Sequence, residues 1–257
     1  MRAVSDRVSP WFLLLLAVAV AGAVLTVAGT PAAVASGSSV LLTAGVVLLV
    51  LGGWAVSLCL HEFGHADVAY RGGDRSVRAK GYLTLDIRRY TDVGLSFVLP
   101  IVILLVGGIP LPGGAVWINH AAVRSRGTLS LVSLAGPATN FLLGALLTAA
   151  VALVPMPIGL AIGLSCLAFI QVIAFVLNIL PIPGLDGFGV LEPFLSLPAR
   201  RLAAQVRPWA PLVLFLLIIG VPGVASAFFQ VGFAVFEGVG GDSSYASHGY
   251  AELLFWR

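Results

Sequence analysis

Long apolar runs constrain this chain more than any other feature. They occupy 11–29, 40–60, 129–154, 158–180 and 209–236, and each is long enough to cross a hydrocarbon layer of about 30 Å as a helix. A shorter run lies at 94–109. A backbone in lipid has to satisfy its own hydrogen bonds, so these runs predict helices and not open sheet. The expected fold is therefore an all-α polytopic membrane protein of about six transmembrane helices, built as one integral domain over 1–257. Composition agrees, with 59% hydrophobic residues, 10% charged and a mean hydropathy of +1.05, which leaves no stretch for a sizeable soluble domain. The first run follows Arg2 and Arg7 and precedes Ala33-Val34-Ala35-Ser36-Gly37, as a cleaved signal peptide would. Its 19 residues exceed a usual signal core, which favours a retained helix.

Charge sets the expected orientation. Of the 14 Lys and Arg, all but Arg257 fall at the N-terminus, at 71–89, at 124 and 126, or at 200–207. By the positive-inside rule these segments are cytoplasmic, with the N-terminus among them. The connections 30–39 and 155–157 carry no charge, and the tail after 237 holds Glu237, Asp242 and Glu252 against Arg257, so these segments are expected outside. The net charge of +3 is then a topology signal and gives no reason to expect nucleic acid. This pattern requires 94–123 to leave the cytoplasmic side and return. A short helix followed by Gly107-Gly108-Ile109-Pro110-Leu111-Pro112-Gly113-Gly114 could form such a re-entrant hairpin and wall a cavity at 107–119, although a Gly/Pro-rich surface loop fits the same residues. Cys59 and Cys166 lie in apolar runs and read as small buried hydrophobes.

Inside this lipid-facing composition stands His61-Glu62-Phe63-Gly64-His65. On a helix, residues four apart share a face, so both imidazoles can reach one metal ion, while Glu62 is near enough to take a proton from an attacking water without being a ligand. Ionisable groups at membrane depth cost about 2.5–3.5 kcal/mol each on insertion scales, so three in five residues imply compensation by a metal, water or polar partners. A catalytic zinc takes three protein ligands and keeps a fourth position open, so one more donor is expected. Asp186 qualifies best. It lies directly beyond the run at 158–180, in Asn178-Ile179-Leu180-Pro181-Ile182-Pro183-Gly184-Leu185-Asp186-Gly187, where two prolines and two glycines break the helix and can re-aim a carboxylate. Under the charge-derived orientation it reaches the same cytoplasmic depth as the histidines. Alone it would read as a turn residue, because Asp-Gly is a common turn pair.

His61-Glu62-Phe63-Gly64-His65, Gly136-Pro137-Ala138-Thr139-Asn140 and Asn178 through Pro181 to Leu185-Asp186-Gly187, in that order, resemble the site-2 protease family of intramembrane zinc metalloproteases. The likeness covers about 40–190, flanked by expected helices at 11–29 and 209–236. It implies Zn2+ held by His61, His65 and Asp186, Glu62 as general base, and a membrane-embedded hairpin between the motifs. Asn140 and Asn178 match accessory asparagines that position substrate or the oxyanion, although an interhelical hydrogen bond is an equal reading for each. Neither the inserted peptide-binding domain nor the C-terminal nucleotide-sensing domain of some relatives is expected. The charged stretch 67–92 reads as a solvated cytoplasmic loop, and His120, near the hairpin, as an interfacial histidine that could approach the site.

The implied activity is hydrolysis of a peptide bond in or near a transmembrane segment of another membrane protein, in a bilayer expected to be a bacterial plasma membrane. A homo-oligomer or a regulatory partner stays open. The competing reading is a membrane metal transporter or a metal-binding protein without catalysis. Glu62 separates the two, because hydrolysis needs that acid beside the histidine pair and transport does not.

Overall fold

The structure is a computed structural model that describes residues 8–90 and 116–256. Among these residues it is all-helical, without a strand. Ten α-helices follow in chain order: α1 Pro10–Ser36, α2 Val40–Gly72, α3 Ser76–Ala79, α4 Arg126–Leu153, α5 Ile158–Asn178, α6 Asp186–Leu191, α7 Leu197–Val206, α8 Ala210–Gly220, α9 Val224–Gly238 and α10 Ser243–Leu253. Of these, α1, α2, α4 and α5 are long and apolar enough to cross a membrane. A fifth crossing exists only if α7 and α8, bent by 58° at their junction, are taken together.

Hydroxyl and carboxylate side chains stop the orphan amides at the helix starts. Ser9 caps α1 at Trp11, Ser39 caps α2 at Leu42 and Ser125 caps α4 at Thr128, each by accepting a backbone N–H on its Oγ. Helix α2 ends where Gly73 takes φ +124° and its N–H closes on the carbonyls of Ala69 and Tyr70. The run at 209–236 does not form the single span expected of it. It is broken at Val221-Pro222-Gly223 into α8 and α9, because Pro222 offers no backbone N–H and Gly223 adopts φ +87°. The apolar run at 94–109 and most of the expected hairpin lie outside the described residues. Of that stretch, 116–119 is seen as non-helical chain.

Helix α5 is the centre, with 78% of its apolar window buried against 22% for α1. Its neighbours are α1, α2, α4, α9 and α10. Val46, Val50 and Trp54 of α2 meet Cys166 and Ile170 of α5 and Leu253 of α10 in one cluster. On another face Phe169 stacks on Phe233, with centroids 4.2 Å apart, and meets Phe236 edge-on at 5.6 Å. The tail after 237, expected only as an outer segment, thus folds back as α10. Thr43 Oγ1 near the start of α2 donates to Glu252 of α10.

Lipid gives helices little hydrophobic reason to associate, so close packing has to hold them. The α1–α2 pair does this with glycine. A Cβ on Gly22 or Gly29 would strike the backbone of Leu49 or Leu42, and one on Gly45 would fall 2.5 Å from Thr26 N. At the opposite end of the bundle from the Thr43–Glu252 contact, Ser9 N–H donates to the Thr84 carbonyl at 2.9 Å, and Arg124 N–H donates to that of Gly72 at 3.0 Å. The start of α1, the end of α2 and the start of α4 therefore share one end. The basic segments 71–89 and 124–126 gather there.

Candidate active site

Helix α2 carries His61 about 32 Å along its axis from Val40, at 1.5 Å per residue, so the histidines lie roughly two-thirds of the way toward the basic end. His61, Glu62 and His65 are 5%, 3% and 6% exposed, which places them inside the bundle and away from lipid. Two glycines allow α4 to press on this part of α2. A Cβ on Gly64 would lie 2.9 Å from Thr139 Oγ1, and one on Gly136 would lie 2.5 Å from His61 Nε2 and closer still to His65 Nε2.

The chain leaves α5 at Asn178 and turns through Pro181, Pro183 and Gly184, the last at φ +101°, to deliver Asp186 as the first residue of α6. That turn is tight because Gly187 packs on the Ile179 carbonyl, where a side chain would not fit. Ser130 Oγ of α4 donates to the Val190 carbonyl at 2.8 Å and holds α6 in place. Asp186 Oδ2 thereby comes to 3.2 Å from His61 Nε2 and 3.5 Å from His65 Nε2, while the two Nε2 atoms are 3.1 Å apart. Ligands about 2.0–2.1 Å from a tetrahedral zinc are separated by roughly 3.3 Å, so the three observed edges fit that ion. A Cβ on Gly136 would intrude on the two imidazole donors of that triangle.

The other ring nitrogens fix which atoms face the donor triangle. His65 Nδ1 lies 2.6 Å from the Val132 carbonyl, which can only accept, so Nδ1 carries the proton and Nε2 presents its lone pair. His61 Nδ1 lies 2.6 Å from Asn140 Oδ1, and Asn140 Nδ2 donates to Gln171 Oε1 at 3.2 Å. Glu62 faces the same region without joining the donor triangle, and its Oε2 accepts the Val116 N–H at 3.1 Å.

These side chains line a cavity of about 440 Å³ that also includes Asn178, His120 and Glu192. The five expected residues other than Asn140 thus share one cavity, and Asn140 stands behind it on His61. Gln171, the Val132 carbonyl and the Val116 N–H are additions that the motifs do not announce. Gln171 did carry a signal, as the one amide in the apolar stretch 158–177. The two backbone groups carried none.

The sequence matches curated proteins along nearly its whole length. It is 44% identical over 255 residues to a protein of Mycobacterium tuberculosis and 42% identical over 255 residues to one of Mycolicibacterium smegmatis, both named "Putative zinc metalloprotease Rip2". Each match covers 98% of this chain and 95% of the relative. The chain belongs to the Rip2 family of zinc metalloproteases. A more distant Bacillus subtilis protein, YwhC, carries the same kind of name and is 28% identical over 183 residues, covering 64% of this chain and 77% of that protein. No family model and no solved structure matches the chain. A zinc metalloprotease needs a zinc-binding group, and His61, His65 and Asp186 could hold such an ion, while membership does not favour the transporter reading. Four helices long and apolar enough to cross a bilayer make this Rip2-family chain a membrane protein.

Proposed function

We propose that this Rip2-family metalloprotease is an intramembrane enzyme of the site-2 type, which hydrolyses a peptide bond in or beside a transmembrane segment of another membrane protein. The observation that carries the proposal is the position of the donor triangle. It is buried among the membrane-length helices α2, α4 and α5 and opens into a cavity at their basic end.

In this reading His61, His65 and Asp186 hold the zinc and Glu62 is the general base. Zinc there would polarise the scissile carbonyl and lower the pKa of the attacking water toward about 7. Two neutral imidazoles and one carboxylate leave the site a net positive charge for that task. Glu62 takes the proton from the water and returns it to the leaving nitrogen. With Oε2 engaged by Val116, its Oε1 is the proton acceptor that no hydrogen bond occupies among the described residues. Asn178, on the cavity wall, meets substrate in this reading, whereas Asn140, at 2.6 Å from His61 Nδ1, orients that histidine. A helical substrate carbonyl is already hydrogen-bonded along its own helix, so the segment to be cut has to be unwound.

By the positive-inside rule the basic end faces the cytoplasm of a bacterial plasma membrane, and the N-terminus and the zinc site lie on that side. The partners are then the bilayer and a single-span membrane protein, with a second copy or a regulator open. The deciding experiment compares wild type and Glu62→Gln in detergent for zinc content and for cleavage of single-span membrane proteins. Near one zinc per chain in both, with cleavage in the wild type alone, is the expected result. Wild-type protein without bound zinc would end the proposal.

A further inference from the structure

Gln171 sits in the middle of α5, on the far side of Asn140 from the zinc donors, and is 1% exposed. Its Oε1 accepts from Asn140 Nδ2 at 3.2 Å, and Asn140 Oδ1 faces His61 Nδ1 at 2.6 Å. Its own Nε2 has no hydrogen-bond partner among the described residues. A buried amide nitrogen left unpaired is unfavourable, so packing alone would be served as well by leucine.

The polarity of this row of atoms matters at the metal. His61 can ligate through Nε2 only if its proton sits on Nδ1, which requires an acceptor there, namely Asn140 Oδ1. With that oxygen turned toward His61, Asn140 Nδ2 points to α5 and needs an acceptor in turn. If Asn140 turned over, its amide nitrogen would face Nδ1, the proton would move to Nε2, and the ligand atom would be lost.

We infer that Gln171 is a positioning residue for the zinc site: its Oε1 anchors Asn140, which keeps His61 in the tautomer that presents Nε2 to the metal. The inference rests on the zinc-site reading. It adds a contribution from α5, a helix that holds no ligand to the metal, since Asp186 lies beyond its end. Partners that orient metal-bound histidines typically change metal affinity by about 10–100-fold.

The test uses three forms of the full chain in detergent: wild type, Gln171→Leu, which removes the acceptor, and Gln171→Glu, which retains one. Zinc affinity is read by competition with a chromogenic chelator, and the melting temperature of the metal-free protein is read alongside. Gln171→Leu trades one unpaired amide nitrogen, its own, for another on Asn140. Its metal-free melting temperature is therefore expected to match wild type while its zinc affinity falls at least about tenfold. Gln171→Glu is expected to bind zinc as tightly as wild type. Should Gln171→Leu fail to fold, Gln171→Met, an unbranched residue of similar length without an acceptor, takes its place. Unchanged zinc affinity in the leucine or methionine form, or an equal loss in the glutamate form, would overturn the role of Gln171. Wild type that binds no zinc would overturn the site itself and be recognised as that separate failure.

Discussion

Gly136 is the residue whose lack of a side chain leaves room beside the proposed zinc ligands. A methyl group there would lie 2.5 Å from His61 Nε2 and closer still to His65 Nε2, against the donor atoms of both histidines. Gly136→Ala gains about 1 kcal/mol of helix propensity, while its methyl forces the two imidazoles to shift. The expected outcome is a helical, folded protein whose zinc content drops from near one per chain to near zero, measured by metal analysis after dialysis. Retained zinc in that variant would mean that α4 can back away from α2. At the same scale Glu62→Gln separates binding from chemistry. It should keep zinc and lose at least about 10²-fold in cleavage rate, because general-base catalysis contributes about that much or more.

At the scale of elements, the α1–α2 hairpin is held by backbone approach at glycines, so bulk there should separate the helices. Gly22→Leu is expected to destabilise by about 1–3 kcal/mol, read as a lower melting temperature in detergent, because a side chain at Gly22 meets Leu49 backbone and not a movable side chain. Gly238→Ala, where a Cβ would meet nothing within 4 Å, is the matched control and should be neutral. The turn after α2 depends on Asp74, which is 1% exposed and accepts from Ser76 N–H at 2.9 Å, from the Ser76 hydroxyl and from Asn119 N–H at 2.7 Å. Burial pushes its carboxyl up, but these hydrogen bonds outweigh burial and hold it below the usual carboxylate range. A carboxyl with a depressed folded-state pKa stabilises the fold above its unfolded value of about 3.9 and loses that contribution as pH falls through the folded value. Asp74→Asn should therefore cost about 1–3 kcal/mol at neutral pH, and the difference from wild type should shrink as pH drops below about 4. Melting curves of both proteins across that range provide the check.

For the whole molecule, the two ends of the bundle make a test of orientation. Cys59 and Cys166 are both fully buried, so introduced cysteines can be labelled against a quiet background. With the basic end in the cytoplasm, Met156→Cys, between α4 and α5, should react with a membrane-impermeant thiol reagent on intact cells. Arg201→Cys, on the exposed face of α7, should react only after lysis. The reverse pattern would invert the assignment and place the zinc site on the outer side.

Sequence alone determined the helical membrane architecture, because apolar length and the need to satisfy backbone groups in lipid leave few alternatives. It also determined His61 and His65 as a pair, since four-residue spacing on a helix is local geometry, and it pointed to Asp186 through the prolines and glycines that break the chain after α5. Boundaries were less legible where breakers and propensity compete: the run at 209–236 is split by Pro222 and Gly223, and the polar tail beyond it forms α10 because Gly249 lets that helix lie against Cys166 and Ile162 of α5. Only the tertiary structure decided how the donors are held. The Val132 carbonyl and the space at Gly136 on α4, the Val116 N–H and the acceptor on Gln171 of α5 come from three separate segments, and what each contributes is a direction or an empty space. Those properties arise when helices pack, and a linear pattern of residue types does not encode them.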